Sequence, residues 1–282
     1  MRNGFTFKDR HSSEFGVTVK TKSRPIIAGA KSFTLDLPYR DGEYDFSMSN
    51  PHGREHYRQR TFILSLGMTA DNLAALTRKI SKLSLWLTGS GELIFDDLPL
   101  VKWSGKVVDE IVYMPEHGGT KAEVEVSIAA EPLARGLFGT EGPLLRHPLP
   151  LGSQIPLSTD CLFTYTVNGE SKLCIVNFGD MPVSPVITIE GQAGDITMSL
   201  GEKSLSFSKG SKSTVVDFER QTVKAGNETI GVKGEFFELP AGVNYLTVTN
   251  SASGDITVTV EFKTRHMYDA DYSDIDWGDA LA

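Results

Sequence analysis

The chain has 282 residues, two cysteines, and 28 Lys and Arg against 36 Asp and Glu for a net charge of −8. That length is comfortable for two cores, and the acidic balance disfavours stable nucleic-acid binding in a groove built to hold a phosphate backbone. No run approaches the roughly 18 apolar residues of a membrane-crossing helix, and the opening Met1-Arg2-Asn3-Gly4-Phe5 has no apolar signal core, so the expected product is soluble, with no membrane insertion and no secretory signal.

The charge is uneven: residues 1–150 carry 19 Lys and Arg against 18 Asp and Glu, whereas residues 151–282 carry 9 against 18. Glycines sit beside short β-branched runs and the prevailing hydrophobic period is two, which predicts a mainly β fold with a single helix.

Residues 4–8, 14–20 and 32–38 read as short strands, broken by His11-Ser12-Ser13, by Pro25, and by Pro38 with Arg40-Asp41-Gly42, where Asp-Gly favours a tight turn. A strand from Tyr57 to Leu66 places Phe62, Leu64 and Leu66 on one face, which Arg58 and Arg60 extend toward a wet end. It leads into the one clear helical stretch, about residues 70–87. There Leu73, Leu76, Ile80, Leu83 and Leu87 recur at three- and four-residue steps, leaving Arg78, Lys79 and Lys82 for water. Thr69 suits the N-cap and Gly89 the stop. Leu93-Ile94-Phe95, the turn Asp96-Asp97 and a run through Trp103 then predict a hairpin, followed by strands at 106–113 and 122–130.

The N-terminal domain, a β-sandwich carrying the helix, is expected to span 1–133. Residues 134–157, rich in proline with no sustained period, read as a linker. Residues 158–265 form the second domain, with strands expected at 160–167, 172–178, 183–190, 195–200, 203–208, 214–218, 221–224, 235–239, 243–249 and 254–262. Many short strands between turn residues indicate an antiparallel β-sandwich or jelly roll. Residues 266–282 form an acidic tail with Asp269, Asp271, Asp274, Asp276 and Asp279 among Tyr268, Tyr272 and Trp277. Cys161 and Cys174 flank a turn at Asn168-Gly169. A two-residue hairpin there sets Val167 against Glu170 and makes the cysteines diagonal neighbours, read as reduced apolar residues rather than a disulfide.

No motif carries catalysis. His52-Gly53-Arg54-Glu55-His56 matches an inverted zinc-peptidase string, but Asn50-Pro51 and Gly53 place it in a turn, where the two imidazoles do not share a helical face. Asp269, Asp271, Asp274 and Asp276 resemble the start of a calcium loop that lacks its closing glutamate. Asp96, Asp97, Asp109 and Glu110 read as turn and edge residues rather than a glycosidase pair. No cofactor, metal site or catalytic residue is expected. Phe163, Tyr165, Phe178, Phe236, Phe237 and Tyr245 include aromatics that could stack on sugars, although packing in apolar strands explains most of them.

The order Leu37-Pro38-Tyr39-Arg40-Asp41-Gly42, a helix ending Leu85-Trp86-Leu87, then Leu93-Ile94-Phe95-Asp96-Asp97 and Trp103-Ser104-Gly105 resembles the N-terminal domain of the distal tail proteins of long-tailed phages. Asn177-Phe178-Gly179-Asp180 with Pro182 and Pro185, Ile187 to Gly191, and Leu239-Pro240-Ala241-Gly242-Val243-Asn244 are similar to that family's C-terminal domain. The likeness spans about residues 1–265 and leaves the acidic tail outside. It implies a virion protein of a phage, prophage or tail-like bacteriocin, assembled in the host cytoplasm. Six copies would form one ring or two stacked rings, joining the tail tube protein to the tail-associated lysin or fibre and to a receptor-binding protein. The outer domain would resemble a galectin or carbohydrate-binding module. Ring contacts are expected around Arg40, Asp41, Gly42, Arg58 and Arg60. The alternative is a carbohydrate-binding adsorption module acting through the second domain.

Overall fold

Alternation at period two dominates the architecture, as the sequence predicts. The structure, a computed structural model, describes residues 4–39, 41–49, 53–116, 118, 120–137, 161–191, 194–208 and 213–270. The chain divides into two units, Met1–Leu137 with Met267–Asp269, and Phe138–His266 with Ala270–Ala282. Most of the expected linker and residues 271–282 lie outside the described residues. Within the linker range, Ala134–Gly136 is a strand paired with Leu98–Val107.

In the first unit an antiparallel sheet runs Arg10–His11, Phe5–Phe7, Ser90–Phe95, Leu98–Val107, Lys121–Ala130, Arg60–Thr69, Val17–Ser23. Phe62, Leu64, Leu66 and Met68 alternate inward and meet Ala122, Val124, Val126 and Ile128 of the paired strand. Phe62, Phe95 and Trp103 pack edge to face at 5.3–5.8 Å between ring centres. Such geometry suits the ring quadrupoles.

The helix is Leu73–Leu87, and its cap differs from expectation. Thr69 is still in the sheet, opposite Lys121, so the cap falls to Asn72, whose Oδ1 accepts from the Ala75 amide at 2.9 Å. The buried stripe is Leu76, Leu83, Trp86 and Leu87, whereas Leu73 is 53% exposed. The stripe rotates because Trp86 inserts between Phe5 and Phe15, at 5.2 and 4.2 Å, and donates from Nε1 to the Phe7 oxygen at 2.7 Å. Each such side chain contributes about 2 kcal/mol of burial before entropy is charged. Gly89, at φ +82, follows the Thr88 C-cap. The hairpin over Asp96–Asp97 is present, with Phe95 opposite Leu98. The strand expected at 106–113 ends at Val107, and Val108 and Val112 are exposed.

The second unit has a sheet in the order Leu162–Val167, Ile256–Glu261, Val186–Gly191, Thr214–Asp217, Thr222–Ala225, Glu228–Thr229, and another in the order Glu170–Asn177, Gly242–Asn250, Asp195–Leu200, Lys203–Ser208, Lys233–Gly234. Ile256, Val258, Val260 and Phe262 are buried, as their alternation predicts. The expected strand 235–239 reduces to a Val183–Leu239 bridge. The Asn168-Gly169 turn is not a hairpin: Leu162–Val167 pairs with Ile256–Glu261, and Glu170–Asn177 with Gly242–Asn250, so the chain crosses from one sheet to the other. Gly169, at φ +66, allows that crossing without a Cβ penalty. Cys161 is buried and Cys174 half-buried, both as thiols.

Candidate functional site

Between Ser23 and Arg60 the first unit carries a segment only partly joined to its sheet. Arg24 starts it: the guanidinium donates from Nη1 to Asp97 Oδ1 at 2.8 Å and lies 4.9 Å from the Phe95 ring centre. The pair holds the Asp97 carboxyl below its ordinary pKa and raises that of Arg24. Farther out the two limbs are zipped together by the Ala30–Tyr57 bridge, by Lys31 N to His56 O, and by Arg58 N to Gly29 O, each hydrogen bond 2.7 Å long.

Beyond this base lies a hairpin of Thr34–Asp36 and Glu43–Asp45, which pairs with no other strand among the described residues. Its register sets Leu35 opposite Tyr44, and Phe46 N donates to Phe33 O at 2.8 Å. Alternation then sorts the side chains: Phe33, Leu35, Leu37, Tyr44 and Phe46 share one face, and Thr34, Asp36, Glu43 and Asp45 the other. The apolar face is open to solvent, with Phe33 at 68% and Leu35 at 48% exposure. Ile26, Ile27, Tyr39 and Met48 are exposed as well, so nine of the seventeen exposed large apolar residues among those described fall within 26–48. A two-stranded ribbon is marginal alone, and exposed apolar side chains concentrated in this way are a feature of interaction surfaces. On the polar face, the Ser47 hydroxyl and then its amide keep the Asp45 carboxyl below its ordinary pKa.

Of the expected ring-contact residues, Asp41 and Gly42 lie exposed at the hairpin turn, with Gly42 at φ +79, and Arg58 is exposed at the base. Arg40 lies outside the described residues. Arg60 corrects its expectation: it shares the face of Phe62 and Leu64 but is 2% exposed, because its guanidinium has a cage of main-chain oxygens from Pro25, Ile26, Pro132 and Met267. Arg60 is an internal strut at the root of the segment. The apolar hairpin face was missed in the sequence reading, although Phe33-Thr34-Leu35-Asp36-Leu37 and Glu43-Tyr44-Asp45-Phe46 spell it out at period two.

The residues that carry the family likeness hold the fold. Asp96 contacts His11 Nε2 at 3.0 Å, and Trp86 and Trp103 are core rings. Buried Asn177 donates to the oxygens of Met181 and Leu239 at 3.0 and 3.1 Å and accepts from the Gly179 amide at 3.0 Å. A Cβ on Gly179 would stand 2.6 Å from the Arg265 oxygen. Pro182 is half-buried, and the Pro185 oxygen accepts from Phe218 N at 3.1 Å. Gly191 and Gly242 have φ of +98 and +86. Asn244 donates to the oxygens of Pro240 and Gly242, both at 2.9 Å.

His52 lies outside the described residues, and Gly53 to His56 are not helical. Among the described residues no cluster of metal-ligating side chains occurs, and no helix is long and apolar enough to cross a membrane. Phe178 and Phe237 are buried, Phe163 stacks on Phe262, and the Tyr165 hydroxyl bonds the Cys174 oxygen. Tyr245 is exposed, and the Lys172 ammonium lies over its ring, 4.2 Å from the ring centre.

Neither a protein-family profile nor a curated protein matches the sequence. Among solved structures, the Dit (gp 19.1) protein of phage SPP1, described as a paradigm of the hub adsorption apparatus in phages infecting Gram-positive bacteria, aligns with a TM-score of 0.60 at 14% identity. The alignment covers 93% of this chain and 98% of that one. The chain has the fold of SPP1 Dit. The phage P2 baseplate in its activated conformation with calcium aligns with a TM-score of 0.37 at 8% identity, over 95% of this chain and 100% of that one.

Proposed function

We propose that this chain is a structural, non-enzymatic protein of a phage tail tip, and that six copies close into a hub ring through the first unit. The ring would join the tail tube to the tail-associated lysin or fibre and to the adsorption apparatus of the virion. The observation that carries this reading is the end-to-end alignment with SPP1 Dit. The hairpin supports it physically: its apolar face, with Asp41, Gly42 and Arg58 nearby, requires a partner surface. A heterologous contact repeated around a closing axis covers that face on every subunit without building fibres. In this reading residues 1–133 form the ring, 134–157 link, 158–265 form the peripheral domain, and 266–282 are an appendage.

Light scattering across a concentration series, followed by negative-stain imaging of the same peak, tests the proposal. A six-fold ring, single or double, is expected. A monomer at every concentration, unchanged by added tail-tube protein, would sink it. The carbohydrate-binding alternative predicts glycan binding through the second unit without a ring, and a glycan array separates the two.

A further inference from the structure

The helix Leu73–Leu87 and the turn Ser12–Phe15 flank an open groove of about 830 Å³ on the first unit. Beneath it lie the buried rings of Phe15 and Trp86, with the Arg10 guanidinium 4.5 Å from the Phe15 ring centre, and Leu85 stands in its lining 78% exposed. Its walls are cationic, with Lys8 and Arg10 on one side and Lys79 and Lys82 on the helix. Among the described lining residues the one carboxylate is Glu14, already held by Arg10 at 3.0 Å. The Lys79 ammonium donates to the Thr69 oxygen at 2.7 Å and Lys8 to the Thr88 oxygen. Both acceptors are neutral carbonyls, and Glu14 is the single anion among the described lining residues, so among these the charges of Lys8, Lys79 and Lys82 have no carboxylate partner. Like charges around a low-dielectric floor raise the local positive potential and attract an anionic occupant.

The chemistry of the floor narrows the choice of anion. A phosphodiester backbone would use the cations alone, whereas a peptide that mixes carboxylates with apolar side chains would use the cations and the exposed Leu85 together. The chain contains such a stretch. Residues 271–282 hold Asp271, Asp274, Asp276 and Asp279, interleaved with Tyr272, Ile275, Trp277 and Leu281, and contain no Lys or Arg.

We propose that this groove docks an acidic, aromatic-bearing peptide segment, and that its occupant is residues 271–282 of a second copy of the chain. The inference goes beyond the ring reading and does not depend on it, since such a contact links two copies in any arrangement.

The test is a fluorescein-labelled synthetic peptide of residues 271–282 titrated with the full-length protein whose own Asp271, Asp274, Asp276 and Asp279 are replaced by asparagine, so that its own segment does not compete, and read by fluorescence anisotropy. Saturable binding that weakens with added salt is expected. Lys79→Glu with Lys82→Glu should weaken it at least about tenfold, whereas Arg78→Glu, exposed on the same helix but outside the groove, should leave it unchanged. A peptide with its four aspartates replaced by asparagine should bind at least about tenfold more weakly. The proposal is overturned by absence of saturable binding, by equal affinity for the Lys79 and Lys82 variant or for the asparagine peptide, or by a short DNA oligonucleotide that outcompetes the peptide. Ring formation is measured separately by mass, so peptide binding without a ring removes the hub reading alone, and a ring without peptide binding removes this inference alone.

Discussion

The guanidinium of Arg60 donates to the main-chain oxygen of Met267 at 2.8 Å, across 207 residues of sequence. The same group reaches the Pro25 oxygen at 3.2 Å and the Pro132 oxygen. A planar fork of five donors in fixed geometry reaches carbonyls spread around it, which the three donors of a compact ammonium do not match. Burial lowers the arginine pKa from its ordinary value, partly countered by Tyr268.

Arg60→Ala should therefore cost roughly 3 kcal/mol, since hydrogen bonds from a charged donor are worth about 1.5–3 kcal/mol each and are not additive. Arg60→Lys should cost less, because the charge is kept and only the fork is lost. Urea denaturation midpoints of the two variants check this; equal midpoints for wild type and Arg60→Ala would show that the cage contributes nothing.

Trp86 has a packing role and a hydrogen-bonding role that can be separated. Trp86→Ala should cost about 3–5 kcal/mol through the cavity left between Phe5 and Phe15. Trp86→Phe keeps a ring in the stack but leaves the Phe7 oxygen without its indole donor, and should cost about 1–3 kcal/mol. Thermal melts order the two variants. If Trp86→Phe were as damaging as Trp86→Ala, the hydrogen bond rather than the stack would dominate.

The hairpin makes the opposite prediction. Leu35→Asp with Phe46→Asp alters side chains already in solvent, so the melting temperature of the monomer should change little while the ring is lost. Mass by light scattering reads the ring and calorimetry reads the fold. A ring that survives both substitutions would move the contact elsewhere.

His266, 1% exposed, lies 3.9 Å from Asp180. Burial lowers its pKa from the ordinary histidine value, and the Asp180 carboxylate offsets part of that shift. The unfolded chain binds its proton near pH 6.5, at about the reference value, and the folded chain only at lower pH. Stability from this group is thus complete above about pH 6.5 and is lost as the pH falls toward the folded pKa. His266→Gln should flatten the decline in urea midpoint between about pH 7 and pH 5. A decline as steep as wild type would refute the assignment.

Period-two alternation made the β class and most strands of the second unit legible, because one buried face leaves a repeating mark on the sequence. The helix was legible for the same reason, but not its rotation: Leu73 and Trp86 both fit a three- and four-residue pattern, and the aromatic slot between Phe5 and Phe15 decides between them. Thr69 looked like a cap because strand pairing through Lys121 is invisible locally. Asn168-Gly169 permits either a hairpin or a crossing between sheets, and the choice depends on the partners Ile256 and Thr249, some 80 to 90 residues away. Arg60 misled most, since nothing nearby in sequence announces four distant carbonyls. The open face of the hairpin is written plainly in alternation, whereas whether another strand covers it depends on contacts distant in sequence.

Met267–Asp269 belong with the first unit, where Tyr268 lies 6.5 Å from Trp103 and 5.5 Å from the Arg24 guanidinium, ring centre in each case. A translating ribosome adds about 5–20 residues per second, so on the order of ten seconds separates synthesis of Leu137 from that of Met267. During that interval the nascent first unit lacks an acceptor for Arg60 and a ring beside Trp103. These contacts of the first unit therefore form only after the second unit has been synthesised, later than a strict N-to-C order of domain folding would place them. A product broken off before Met267 would carry a loosened anchor at Pro25 and Ile26, and with it a less firmly held root for the hairpin.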